Sequence, residues 1–281
     1  MKRIARFGEC LFAALMIYSG VMHFKFATYV AAAVPSWLPW HLFWAYGTGV
    51  ALFAAGVSIL VHRFTRVAAP LLAVLLCSFV LFIHLPSMAH SVTHAPQEMR
   101  VLWSFNGTGG INNALKDLAL TLSAFILALS GSSLQRNRQW VLAALINMFA
   151  IVMLLFGAEH FYFTQYTPGI PSWSFVNFWI PWNEVWGYLT GAGLFIGGSM
   201  ILLRKRMDLA AASMGLMILF VAALTYAFRM AAHLGSYGEL TNTMKDVAVA
   251  GGAMMLAGFA HPENQPAKDT PTVKPSAIET V

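Results

Sequence analysis

The sequence predicts an all-α integral membrane protein. It should have eight transmembrane helices in two parallel four-helix repeats, each with an aromatic Pro/Trp-rich outer hairpin. Three observations predict this. Hydrophobic residues make up 58% of the 281-residue chain and charged residues only 10%, against about 25% in an ordinary soluble domain. Basic residues concentrate in every second loop. A set of short matches in the first half recurs, in order, in the second.

A chain this poor in charge cannot cover a water-facing surface. In hydrocarbon its backbone polar groups must be satisfied within helices, and a crossing takes roughly 20 apolar residues. Eight windows qualify: about 8–25, 42–61, 67–85, 114–132, 140–158, 185–203, 208–228 and 243–260. The opening Met1-Lys2-Arg3 and its apolar run also resemble a signal peptide. A related segment at 140–166 lies mid-chain, so the first segment is read as a retained helix. After Ala260, Pro262, Pro266, Pro271 and Pro275 among few large apolar groups predict a disordered tail over 261–281.

The net charge of +6 speaks of orientation, with no nucleic-acid partner expected. With the N-terminus inside, Lys2, Arg3, Arg6, Arg63, Arg66, Arg136, Arg138, Arg204, Lys205, Arg206, Lys268 and Lys274 all fall on the inner side, 12 of the 17 Lys and Arg. Lys25, Arg100, Lys116, Arg229 and Lys245 fall outside or at outer helix ends. The positive-inside rule then places both termini in the cytoplasm, as a multi-pass protein of a bacterial inner membrane. Seven helices would break the alternation.

The internal matches define the halves. His23, Phe24, Phe26 and Tyr29 recur as His160, Phe161, Phe163 and Tyr166. Pro35-Ser36-Trp37 recurs as Pro171-Ser172-Trp173, and Pro39-Trp40 as Pro181-Trp182. Tyr46, Thr48 and Gly49 recur as Tyr188, Thr190 and Gly191; Asn113, Lys116 and Asp117 recur as Asn242, Lys245 and Asp246. The predicted units are 1–132 and 139–260, joined by a cytoplasmic linker at 133–138. Four helices per unit give both the same polarity. The segments at 35–46 and 171–186 form the outer hairpins, because proline interrupts helices and tryptophan favours the interface.

The Gly20-Val21-Met22-His23-Phe24 helix end, the Pro-Trp segment, the Gly-rich second helix and the four-helix unit resemble the DoxX/DoxD-like membrane proteins. The likeness covers nearly all of 8–260, once per half. It implies a subunit that binds quinone or quinol within a membrane oxidoreductase system, in sulfur-compound oxidation. Wider relatives include membrane maturation proteins. Many members carry a glutamate in the second helix, where this chain has Gly49-Val50-Ala51 and Gly191-Ala192-Gly193. A mechanism resting on that carboxylate is not expected here.

The candidate catalytic residues are His23, His160, Lys116, Asp117, Lys245 and Asp246. An intramembrane charge costs about 2.5–3.5 kcal/mol at the bilayer centre. Helix neighbours point about 100° apart, so Lys116 is expected to pair with Asp246 and Lys245 with Asp117. That pairing suits a structural role, with Asn113 and Asn242 capping the helices. A site for an anion or a quinone oxygen is the other reading. His23 and His160 suit an aromatic cap, a proton relay or, less well, haem ligation, since no c-type attachment sequence occurs. Trp37, Trp173, Arg229 and His84 are the candidate quinone contacts. His84, His90, His94, Arg229 and His233 read as a polar outer fringe. Pro86 and Pro96 argue for a solvated loop around His90 and His94, and no metal site is assigned. Glu159 can orient His160.

Without CxxC, iron–sulfur or flavin signatures, a redox role needs a protein electron donor or accessory subunit. A small-anion transporter or channel and a non-catalytic assembly factor are the competing functions.

Overall fold

A computed structural model describes residues 1–94, 110–130, 139–162, 182–231 and 237–259. Apart from connecting turns these are helical, with no strand among the described residues. In order they are α1 (Lys2–Lys25), α2 (Ala27–Ala31), α3 (His41–Leu60), α4 (Thr65–Phe79), a π-turn (Val80–His84), α5 (Leu85–His94), α6 (Ile111–Ser130), α7 (Gln139–Tyr162), α8 (Asn183–Leu202), α9 (Met207–Ala231), α10 (Tyr237–Leu256) and a 3₁₀ turn (Ala257–Phe259). The proline-rich tail, the 133–138 linker and most of the second aromatic hairpin lie outside the described residues.

Seven of the described helices are long and apolar enough to cross a membrane: α1, α3, the run Thr65–His90, α6, α7, α8 and α9. Twenty residues at 1.5 Å each span about 30 Å, the hydrocarbon thickness. Helix α10 has the length but carries Glu239, Lys245 and Asp246, and is not among the seven. Large exposed apolar side chains, such as Val50, Phe53, Leu71, Val74, Phe195, Ile196 and Phe220, suit contact with lipid. The molecule is therefore compatible with a multi-pass membrane protein.

Helices pack closely where side chains are small, as in lipid-embedded bundles. On α1 and α3, a Cβ on Gly20 would stand 2.7 Å from Phe53 Cβ, and one on Gly56 would stand 2.8 Å from Ile17. On α7 and α8, a Cβ on Gly157 would stand 3.0 Å from Phe195 N, and one on Gly198 would stand 3.0 Å from Leu154. Both pairs therefore run antiparallel through equivalent contacts. Phe24 stacks on Tyr46 at 5.9 Å, and Phe161 on Tyr188 at 6.0 Å. Trp40 and Trp182, preceding α3 and α8, share φ 56°. The turns after these helices also match: Arg63 N–H donates to Ser58 O at 3.1 Å, and Lys205 N–H to Met200 O at 2.9 Å.

Helix α4 packs on α6, and α9 on α10. Helix α1 lies antiparallel against α10, where Gly8 meets Gly251 and Tyr18 Oη lies 3.3 Å from Thr241 Oγ1. It buries Phe12, Ala13, Leu15 and Met16, so it is an integral wall of the bundle. Helices α6 and α10 run side by side and parallel, for Lys116 adjoins Asp246 and, farther along, Ser123 adjoins Gly252. They form the centre, with Ala119, Ala124, Ala248, Ala250 and Ala253 fully buried.

One sequence expectation is corrected at the third helix. The segment around His90 was expected to be a solvated loop, and it is α5. Pro86 occupies the second position of α5, where an amide donor is dispensable. The π-turn just before it, closed by Leu85 N–H to Val80 O, absorbs the extra residue that lets the chain pass the proline ring without ending the helix.

This packing predicts a contrast between neighbouring glycines. A Cβ on Gly49 would stand 2.8 Å from His23 Cβ, and on Gly191 2.6 Å from His160 Cβ, whereas Gly47 and Gly187 have nothing within 4 Å. Gly49→Ala and Gly191→Ala should cost about 1–3 kcal/mol by overpacking, less up to ~1 kcal/mol of helix propensity. Gly47→Ala and Gly187→Ala should be neutral or stabilising. Thermal unfolding in detergent measures the difference, and an equal response at all four positions would contradict the packing.

Candidate functional site

Lys116 and Asp117 sit about one and a half turns inside α6, and Lys245 and Asp246 more than two turns inside α10. Helix α6 starts at Ile111 and α10 at Tyr237, earlier than the sequence suggested. Asn113 and Asn242 are thus interior residues and not caps: Asn113 N–H donates to Gly110 O at 3.1 Å. Lys245 lies about 12 Å along α10, beyond the first turn where the helix dipole acts.

The two crossed pairs expected from the sequence form. Lys245 Nζ lies 2.8 Å from Asp117 Oδ1, and Lys116 Nζ lies 3.4 Å from Asp246 Oδ1. Both aspartates and Lys116 are buried. Desolvation of each charge is offset by its partner on the other helix and not by its neighbour in the chain, because each lysine and the following aspartate face different directions on one helix.

His84 is the correction to the polar-fringe reading. It ends the π-turn, and its Nε2 donates to Asp117 Oδ2. Asp117 is held through both oxygens, by a lysine and by a histidine. Asp117 thereby fixes the imidazole's tautomer and leaves Nδ1 without a protein partner among the described residues. Among the described residues α9 offers no such histidine: it is a continuous α-helix without one.

Glu159, near the end of α7, is buried and acts electrostatically on Lys116. Its neighbour His160 is buried as well. Sequence reasoning gave Glu159 only an orienting role, because adjacency to His160 says nothing of a cation on another helix. Its one signal was a carboxylate inside a long apolar run. Among the described residues the cluster thus joins Lys116, Lys245, Asp117, Asp246 and His84, with Glu159 acting on Lys116 from α7.

The remaining candidates are placed as follows. His23 is half-buried, and its Nδ1 pairs with Ser19 O at 2.7 Å, along its own helix. Trp37 is exposed and meets Phe82 edge-to-face at 6.0 Å, two residues from His84. His90 lies on α5. Trp173 and His233 lie outside the described residues, as do the side chains of Arg229 and His94. Lys245 and His84 are the reachable members, 20% and 16% exposed, while Lys116 and Asp246 are 5% and 1% exposed.

A family described as a domain of unknown function (DUF8561) matches residues 12–104. The match spans α1 to α5, including His23, Trp37 and His84, and stops before the lysine–aspartate helices. No curated protein and no solved structure matches the chain.

The pairing predicts a non-additive response. Lys116→Met leaves Asp246 without this partner and should cost about 3–5 kcal/mol. Adding Asp246→Leu removes the stranded charge and should restore most of that stability. Melting temperature and membrane yield report both. If the double variant is no more stable than the single, the pair is not the coupling unit.

Proposed function

We propose that the chain is a quinone- or quinol-binding subunit of a membrane oxidoreductase system, as its DoxX/DoxD-like features suggest. Electrons come from a separate donor subunit. The observation that carries the reading is the Asp117–His84 dyad. It presents Nδ1 of an oriented imidazole at the accessible edge of a buried charge cluster. A polar-edged head group suits that edge, with His84 and Lys245 available to its oxygens. When bound, a quinone supplies the electron-accepting carbonyls, whose reduction consumes two electrons and two protons.

The chain's part is positional and protonic. Lys245 stabilises negative charge on an oxygen. Protonated His84 gives a proton from Nδ1, and neutral His84 accepts one there in the reverse direction. Asp117 keeps its orientation through either change.

The architecture in this reading is eight helices in two parallel repeats, with α10 as the eighth span. Support comes from the equivalent glycine and aromatic contacts of the two halves, the parallel course of α6 and α10, and the complete burial of Ala248, Val249 and Ala250. With α10 shielded by its neighbours, its charges face protein and not lipid. Both termini are cytoplasmic, in a bacterial inner membrane. Reporter fusions after Arg66 and Arg206 should both read as cytoplasmic, and a signal from the opposite side at either position would refute the orientation.

The functional test is extraction. Gently solubilised full-length protein should carry quinone, quantified by chromatography and mass spectrometry. His84→Gln keeps a donor for Asp117 and removes the proton-exchanging nitrogen. It should fold normally and retain roughly tenfold less quinone, the scale of one charge-assisted hydrogen bond. Wild-type protein without quinone, or equal retention by His84→Gln, would sink the reading.

A further inference from the structure

The opposite end of the molecule carries its own unassigned feature. Three clefts gather at the face where Lys2, Arg6, Arg63 and Arg66 collect, and none is lined by a residue of the charged cluster. One, of about 560 Å³, is an apolar groove between α3 and α4, with Ala51, Ala55, Leu72 and Leu75 among its walls. The next, of about 570 Å³, holds His62, Arg66 and Glu9, and the third, of about 380 Å³, holds Lys2, Arg6, Glu9 and Ser130. Phe64 and Val67 line both the groove and the second cleft. An apolar slot and a basic recess therefore meet at the start of α4.

The geometry points to a specific site for an anionic glycerophospholipid, with an acyl chain in the α3/α4 groove and the phosphate at Arg66. This assignment is independent of the quinone reading. Length is the first argument. From Phe64 to Leu75 is about 16 Å along a helix, and one leaflet of hydrocarbon is about 15 Å deep. The groove thus reaches from head-group level to about the midplane.

Charge is the second argument. Glu9 sits 2.9 Å from Arg6 Nη1 and 3.4 Å from His62 Nε2, and Arg6 also donates to Leu60 O at 2.7 Å. Arg6 is committed to the protein. Arg66 makes no hydrogen bond or ion pair among the described residues, and it is exposed beside the groove. Its guanidinium suits a phosphodiester, which it can bind through two parallel donors.

Comparison of the halves is the third argument. At the positions matching Ala51 and Ala55, α8 has Gly193 and Gly197. A Cβ on Gly193 would collide with Met217 Sδ, and one on Gly197 would stand 3.0 Å from Met214 Sδ. Flexible methionine side chains fill that seam. In the first half, Leu72 and Leu75 stand where the methionines would be, and the seam stays open. Equivalent backbones thus carry one filled groove and one open one, and the open one lies beside Arg66.

Native mass spectrometry of the full-length protein tests this with equal amounts of phosphatidylglycerol and phosphatidylcholine of identical acyl chains. Phosphatidylglycerol should be retained about fivefold better, the worth of one basic residue at a membrane surface. Arg66→Gln, an exposed substitution, should abolish that preference. Ala54→Phe, on the exposed side of the groove, should reduce retention of both lipids. Val50→Phe, elsewhere on the exposed surface of α3, should not. Excess glycerol 3-phosphate should displace neither lipid. Equal retention of the two lipids, a preference that survives Arg66→Gln, or no effect of Ala54→Phe would each overturn the two-part site. Displacement by glycerol 3-phosphate would overturn it too, by reducing it to a plain anion site.

Discussion

The crossed pairing of Lys116 with Asp246 and Lys245 with Asp117 constrains everything around it. Four charges within an apolar bundle are tolerable only if every one meets its opposite, because a stranded charge costs several kcal/mol (about 3–5). Each lysine is followed directly by its aspartate, so neither helix can satisfy its own charges. Two parallel helices in register can satisfy all four together. That requirement brings α6 and α10 together at the centre, with Ser123 against Gly252 allowing the close approach. It also makes the other helices a jacket. Helices α1, α4, α7 and α9 each cover a side of the central pair and shield it from lipid.

The central pair was legible in the sequence because its logic is local and repeated. The 100° step between neighbours forbids pairing within a helix, and the second Lys-Asp supplies the partner. Helix ends were less legible. Asn113 and Asn242 have the chemistry of caps, yet Gly110 O starts α6 earlier, and the helices run through both asparagines. Propensity says where a helix can begin, and packing decides where it does. Helix α10 shows the same limit in another way. Its charges depress its hydropathy, but burial against α1, α6 and α9 depends on partners that no window along the chain contains.

His84 was legible as a polar residue and illegible as a ligand of Asp117. Pro86 was read as the end of a helix. A proline obstructs the carbonyl four residues before it, and a loop and a π-turn are both ways around that obstruction. Only the folded chain chooses. By choosing the π-turn, the third helix continues, and the extra residue swings His84 toward α6. The π-turn in that span thus ends on the histidine that joins one of the two salt bridges.

The two halves conserve contacts between backbones and diverge in side chains. Gly20 and Gly49 in one, and Gly157 and Gly191 in the other, hold first and second helices together in the same way. Around these fixed points the chemistry has been redistributed. Arg6 reaches from α1 to the carbonyls ending α3, whereas Arg204 reaches from beyond α8 back to Ala143 O and Asn147 Oδ1 on α7. His84 meets the carboxylate of α6, whereas α9, the matching helix, carries no histidine among the described residues. Methionine closes one seam, and alanine with leucine leaves the other open. Contacts between glycine backbones leave no slack for substitution, since any Cβ there meets another helix. Side chains at the rim can change without moving a helix axis. The differences between the matched contacts are therefore confined to the side chains around them, as at His84 and at the open groove.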